Sequence, residues 1–226
     1  MNIGLIVAAG NSARFAPGDK QFTLLAGRPM LAYSIDAFAR ARVIDMVILV
    51  VRAQDQRRCQ ADIVGPAALA KPVSVVAGGE KRQQSVAVGL KACPRGVDLV
   101  FVHDGARPLI TADQIDAMAA NLGDFDGLVL AACAYDTIKQ AEDGIIKRTI
   151  PRQEVWHAQT PQLFRYATLE QAHMIAEQAG FAATDDSTLV ELMGGRVAIC
   201  PNEQDNLKVT TTADLRLAEQ ILRTRL

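Results

Sequence analysis

The stretch Leu5-Ile-Val-Ala-Ala-Gly-Asn-Ser-Ala-Arg-Phe-Ala-Pro-Gly-Asp-Lys20 constrains this chain more than any other. An apolar run without polar alternation is what a strand covered on both faces requires, and such strands belong to parallel sheets. Here the run ends in small residues and then offers Arg14 and Lys20, six positions apart. A strand that stops in a tight loop of small residues can present backbone N–H groups to an anion. Spacing excludes two familiar phosphate loops. The dinucleotide fingerprint G-x-G-x-x-G would need glycines where Ser12 and Phe15 stand. A Walker A loop would need Gly-Lys where Phe15-Ala16 stands, and Gly18-Asp19-Lys20-Gln21 supplies no Gly-Lys-Ser/Thr run. Two readings remain: an anion-binding turn with two long cations, or a loop with two solvated charges.

The rest of the chain alternates strand-like and helix-like segments, which predicts an α/β fold with a mainly parallel sheet and helices on both faces. Strands are expected at Ile3–Ala8, Met46–Val51, Val73–Ala77, Asp98–His103, Gly127–Ala132 and Val197–Pro201. Helices are expected at Met30–Ala41, from about Val86 to Ala92, after the capping box Thr111-x-x-Gln114, from about Tyr166 to Gln178, after Thr184-Asp185-Asp186-Ser187, and at Thr212–Arg223. Thr184 is the expected cap of the helix it precedes. Pro161 is expected to interrupt regular structure in the polar run Trp156-His157-Ala158-Gln159-Thr160-Pro161-Gln162. Between Asp136 and Arg152 the apolar content drops, and Asp143-Gly144 divides Thr137–Gln140 from Ile145–Ile150 as a hairpin turn would. A lone two-stranded hairpin is marginal in water, so this arm, at about 136–155, is expected to pack on a second copy of the chain.

Composition narrows the partners. Lys+Arg 24 against Asp+Glu 25 gives a net charge of -1, so no global positive field is available to hold nucleic acid. A small anionic substrate gripped by local cations fits better. No apolar run reaches bilayer length and no leader pattern opens the chain, so a cytoplasmic protein without membrane contact is expected. Cys59, Cys93, Cys133 and Cys200 lack C-x-x-C spacing, and His103, His157 and His173 do not cluster, which suits reduced thiols and implies no structural metal.

Candidate ligand-binding residues sit where predicted strands end. Gly78-Gly79-Glu80 follows one strand, and paired glycines allow close backbone approach to a ligand or merely a tight connection. Asp104 ends another, where open α/β sheets bind their ligands, and is a candidate magnesium ligand, with capping or an ion pair to Arg107 as the alternative. Arg148 and Arg152 on the arm are either edge charges or phosphate ligands offered across a subunit boundary.

Five stretches occur together in order: Ala8-Ala9-Gly10…Arg14…Lys20, Gly78-Gly79-Glu80…Arg82…Ser85-Val86, His103-Asp104-Gly105-Ala106-Arg107-Pro108, the Trp156–Gln162 run, and Asp205-Asn206-Leu207-Lys208-Val209-Thr210. The set resembles the 2-C-methyl-D-erythritol 4-phosphate cytidylyltransferases of the non-mevalonate isoprenoid pathway. That resemblance implies a Rossmann-like nucleotidyltransferase fold, a single cytidylyltransferase domain over 1–226, and a homodimer whose arms complete each other's sites. It implies transfer of CMP from CTP to methylerythritol phosphate with Mg²⁺ and release of pyrophosphate. Carried onto this chain, Arg14, Lys20 and Lys208 would stabilise the triphosphate. Ala8, Ala9, Gly10, Gly79, Glu80, Ser85, Asp104 and Gly105 would bind CTP, with Asp104 also at the metal. Asp104, Arg107, Thr137, Arg152, Thr160 and Thr184 would hold the alcohol phosphate. Many members carry glycine where Ser12 stands and alanine where Gly105 stands. Ribitol 5-phosphate cytidylyltransferases share the nucleotide half, so the alcohol pocket alone separates the two. A non-catalytic nucleotide-binding module is disfavoured by Arg14 and Lys20 occurring with Asp104.

Overall fold

The computed structural model describes residues 1–10 and 20–225, so the expectations placed on Ser12 and Arg14 lie outside the described residues. The elements in chain order are β1 (Asn2–Val7), β2 (Leu24–Leu25), β3 (Arg28–Pro29), α1 (Met30–Arg40), β4 (Met46–Val51), α2 (Gln56–Cys59), β5 (Val73–Ala77), α3 (Arg82–Lys91) and β6 (Leu99–Asp104). They continue with α4 (Ala112–Ala120), β7 (Gly127–Cys133), β8 (Ile138–Glu142), β9 (Ile145–Ile150), β10 (Trp156–Arg165), α5 (Tyr166–Ala179), α6 (Asp186–Leu192), β11 (Val197–Pro201) and α7 (Thr212–Arg225).

Seven strands form one sheet in the order β11-β7-β10-β6-β1-β4-β5. The pairs β1–β4, β1–β6, β4–β5 and β7–β11 are parallel, and β10 alone runs against its neighbours. Alternation along the buried strands divides the core between the two faces. On one face Ile6, Val47, Leu49 and Phe101 pack with Leu31, Ile35 and Phe38 of α1 and Ile115 and Met118 of α4. On the other Leu5, Ile48, Val50 and Val102 pack with Val86 and Leu90 of α3, Leu169 and Ala172 of α5, and Leu189 of α6. A third cluster seats Ala218 of α7 against Leu25, Met30 and Leu109. The mainly parallel sheet with helices on both faces is therefore as expected.

Three local expectations need correction, and one stretch carries structure that was not expected. The Trp156–Gln162 run does not lose regular structure at Pro161; it belongs to the ten-residue β10, in the middle of the sheet. The register of β10 against β7 shifts between Ala158 and Gln162, and a bulge is where a strand can carry a residue without an N–H. Helix α3 begins at Arg82, four residues earlier than expected, because Gln84 Oε1 accepts the Lys81 N–H at 3.0 Å and caps the first turn. Thr184 does not cap α6; Asp185 does, its carboxylate accepting the Thr188 N–H at 3.1 Å. Between β4 and β5 the chain adds α2 and the turn Gln60–Val64, which the sequence hides because only Cys59 and Ile63 of that charged stretch are buried.

The hairpin expected between 136 and 152 is present as β8 and β9, with Asp143 and Gly144 at φ 51° and 77°. Positive φ at both turn positions is what a two-residue type I′ turn demands, and Asp-Gly meets it.

Candidate active site

The cleft is built at the carboxyl ends of β1, β5 and β6, where the parallel strands deliver three loops to one edge of the sheet. From β1 come Ala8, Ala9 and Gly10; after β5 come Gly79 and Glu80; Asp104 is the last residue of β6. Lys20 and Gln21, from a short 3₁₀ turn at Lys20–Phe22, form one wall, and Lys208 with Thr210 forms another. Ser85 closes the floor from α3, and the cavity measures about 230 Å³.

Local chemistry explains this convergence. The Gly78 position leaves no room for a Cβ, which would lie 2.7 Å from both Ala9 Cβ and Ser85 Oγ, so the β5 loop rests directly on the β1 loop. Ser85 Oγ accepts the Gly79 N–H at 3.2 Å, fixing the loop to the first turn of α3. Gln21 donates to the Ala8 carbonyl and ties the Lys20 turn to the end of β1. Gly105 is buried, and its N–H donates to the Val7 carbonyl at 2.9 Å.

Asp104 is the electrostatic centre. Its Oδ1 accepts from Arg82 Nε at 3.0 Å and its Oδ2 from Lys208 Nζ at 2.5 Å, so its ion pairs are with these two and not with Arg107. Burial pushes this carboxyl up, but the Arg82 guanidinium and the Lys208 ammonium outweigh it and hold it well below the usual carboxylate range. Thr160, aimed by the bulge in β10, accepts the Asp104 N–H at 3.0 Å and contacts His103 Nδ1 at 3.1 Å. His103 Nε2 lies 3.2 Å from the Arg107 carbonyl, so a neutral ring donates there and accepts from the Thr160 hydroxyl. Burial takes the His103 pKa down to about 4, in keeping with the neutral form.

The structure thus brings together Ala8, Ala9, Gly10, Lys20, Gly79, Glu80, Ser85, Asp104 and Lys208 around one cleft. Gly105 and Thr160 stand immediately behind it. Arg107 is turned away, donating from Nη1 to the Asn206 carbonyl at 2.7 Å, with its buried Nε unpartnered among the described residues. Thr137 and Arg152 lie at the exposed root of the arm, where Arg152 donates to the Tyr135 carbonyl at 2.8 Å, and Thr184 is exposed just ahead of α6. Among described residues, no group of three His, Cys, Asp or Glu side chains could hold a metal.

Sequence reasoning gave no role to Arg82, which bridges Asp104 to the buried Asp186 of α6. It also missed the amide network under β10: Asn206 donates to Gln159 Oε1 and the Thr160 carbonyl, while Asn202 links Gln159 to Gln114. The only signal for these was polar density in the Trp156–Gln162 and Asp205–Thr210 stretches.

Residues 3–224 match the family described as IspD, 2-C-methyl-D-erythritol 4-phosphate cytidylyltransferase. The chain belongs to that family. A relative of the same description from Geobacter metallireducens is 39% identical over 226 residues, covering 98% of this chain and 97% of the relative. A bifunctional enzyme IspD/IspF from Desulforudis audaxviator is 42% identical over 97% of this chain, which spans only 56% of that longer protein. The solved 4-diphosphocytidyl-2C-methyl-D-erythritol synthase of Anaerococcus prevotii superposes with a TM-score of 0.87 at 27% identity, covering 98% of this chain and 96% of that one. The Francisella tularensis cytidylyltransferase does so with a TM-score of 0.81 at 26% identity, covering 98% of this chain and 100% of that one.

Proposed function

We propose that this protein transfers CMP from CTP to 2-C-methyl-D-erythritol 4-phosphate, forming 4-diphosphocytidyl-2-C-methyl-D-erythritol and pyrophosphate. The observation that carries the reading is the convergence of Lys20, Lys208 and Asp104 on a cleft floored by the Ala8–Gly10 and Gly78–Glu80 loops. Full-length relatives described as methylerythritol phosphate cytidylyltransferases favour that alcohol over ribitol 5-phosphate.

The chemistry suits a site of this kind. The attacking group is a phosphate monoester with a second pKa of about 6, so it is dianionic at neutral pH and needs no general base. The obstacle is bringing one polyanion in line with another, which cations overcome by positioning and by stabilising charge in the transition state. Lys20 and Lys208 take the triphosphate here, with Arg14 as a third cation. Ala8, Ala9, Gly10, Gly79, Glu80, Ser85, Asp104 and Gly105 bind the nucleotide, in part through backbone groups that only small residues bring close enough. Arg107, Thr160 and Thr184 serve the alcohol phosphate together with Thr137 and Arg152, the last offered by a partner's arm.

A divalent cation fits the donors present only in part. Asp104 is a hard oxygen ligand in the cleft, and Mg²⁺ characteristically takes one or two carboxylates and completes its shell with substrate phosphates and water. Asp104 would hold such an ion, and the ion would supply neutralisation of triphosphate charge. The arm supports a homodimer: among the described residues β8 and β9 pair only with each other, while Tyr135, Ile145 and Ile146 are 76%, 65% and 60% exposed. The four cysteines are free thiols, in keeping with a reducing cytoplasm.

The test is pyrophosphate release from CTP and Mg²⁺, run in parallel with methylerythritol 4-phosphate and ribitol 5-phosphate. Strong preference for the first is expected. Preference for ribitol phosphate would overturn the alcohol assignment, and release with neither would overturn the catalytic reading.

A further inference from the structure

Arg82 opens α3 and spans two acids from different parts of the fold. Its Nε meets Asp104 Oδ1 at 3.0 Å, at the end of β6, and its Nη1 meets Asp186 Oδ2 at 2.7 Å, on the first turn of α6. Asp186 is 1% exposed and is itself fixed: its Oδ1 lies 3.0 Å from His173 Nε2 of α5, and its N–H donates to Gln162 Oε1 at 3.2 Å. The guanidinium lines the cleft but is anchored from behind by Asp186. Lys208 is the opposite kind of cation. Its side chain is 43% exposed, stands on a connection between β11 and α7, and meets Asp104 Oδ2 at 2.5 Å.

We propose that Arg82 is a positioning residue, the fixed counter-ion that keeps Asp104 paired while Lys208 swings from Asp104 to a phosphate oxygen of the bound nucleotide. The physical reason is the cost of a lone buried charge. Asp104 is 8% exposed, and a carboxylate that deep is strongly destabilised if its sole partner departs. With Lys208 as that sole partner, the move to substrate would be opposed by this penalty. With Arg82 held on the other oxygen, Asp104 stays compensated and Lys208 is released at little cost. Asp186 completes the device: by pulling Arg82 from behind, it prevents the guanidinium from competing with Lys208 for the same phosphate. The two carboxylates also explain why a guanidinium stands here, since its fork reaches two acids at once and a lysine reaches one.

This inference rests on the assignment of Lys208 to the nucleotide phosphates, so its test is a double-mutant cycle between Arg82→Gln and Lys208→Met, read both as kcat and as CTP affinity by calorimetry. Arg82→Gln is expected to lower kcat roughly a hundredfold, as loss of a preorganised charge-stabilising group does. Lys208→Met should do the same, and the double variant should be no worse than either single, because Arg82 acts through Lys208. Losses that multiply would mean that Arg82 contacts substrate independently and would overturn the proposal, as would an unchanged kcat in Arg82→Gln with only a lowered melting temperature. If Arg82→Gln does not fold, Arg82→Lys replaces it in the cycle, with the same non-additivity expected. Should the wild-type protein bind CTP but release no pyrophosphate, the catalytic reading fails, and the coupling is decided by the affinity cycle alone.

Discussion

The nucleotide end of the cleft and the β8–β9 arm are built on opposite principles. At the cleft, the central polar groups are held by one another: Asp104 by Arg82, Lys208 and Thr160, Thr160 by His103, and Ser85 by the Gly79 loop. Among the described residues the strands of the arm pair with each other alone, and its charges face outward with Ile145 and Ile146. Preorganisation of donors and cations is what phosphoryl chemistry needs, since no reorganisation is then required as charge develops. A protruding hairpin with exposed isoleucines instead belongs to a surface completed by something else. One chain therefore carries a densely wired cleft, while Thr137, Arg152 and Thr184, three of the residues proposed for the second substrate, lie on the surface.

That contrast can be broken most severely at the cleft. Lys20→Ala is expected to raise the barrier by ~3 kcal/mol or more, over a hundredfold in kcat, and near-normal turnover would remove Lys20 from the chemistry. Acid should act through the same wired region. The buried His103 has its pKa lowered from about 6.5 to about 4, so the unfolded chain binds the extra proton between those values. Stability from this group is complete above pH 6.5 and is lost as pH falls towards 4, by roughly 3 kcal/mol. Asp104, with its depressed pKa, contributes in a lower window, present above about pH 4 and lost only below it. Urea midpoints at pH 7 and pH 4.5 should therefore differ less in His103→Asn than in the wild type; equal acid losses would contradict the assignment.

At the arm, effects should be smaller and confined to one substrate. Arg152→Ala is expected to raise KM for the alcohol phosphate about tenfold, the worth of one charge-assisted hydrogen bond, while KM for CTP stays put. A matching rise for CTP would mean that the arm and the nucleotide end are not separate after all. Lys147→Ala, which removes an exposed pair with Glu142 at 3.3 Å, should leave melting temperature and both KM values unchanged.

Much of this was legible in residue order. The unbroken apolar run at Met46–Val51 located a buried strand to the residue, and the β-branched run at Val73–Ala77 located a half-buried edge strand equally well. The capping box at Thr111 and the Asp143-Gly144 turn were equally local, each decided by hydrogen bonds or φ values within four residues. The identities around the cleft followed from strand ends, since chain direction alone puts them at one edge of a parallel sheet. Tertiary structure decided the rest. Nothing near Pro161 says that its segment is a central antiparallel strand, because that depends on β6 and β7 accepting it on both sides. Nothing near Arg82 says that it stands between Asp104 and Asp186, 22 and 104 positions away. Sequence determines which side chains are available and which local conformations they favour, and long-range packing determines which charges must share a buried space and hence how each is held.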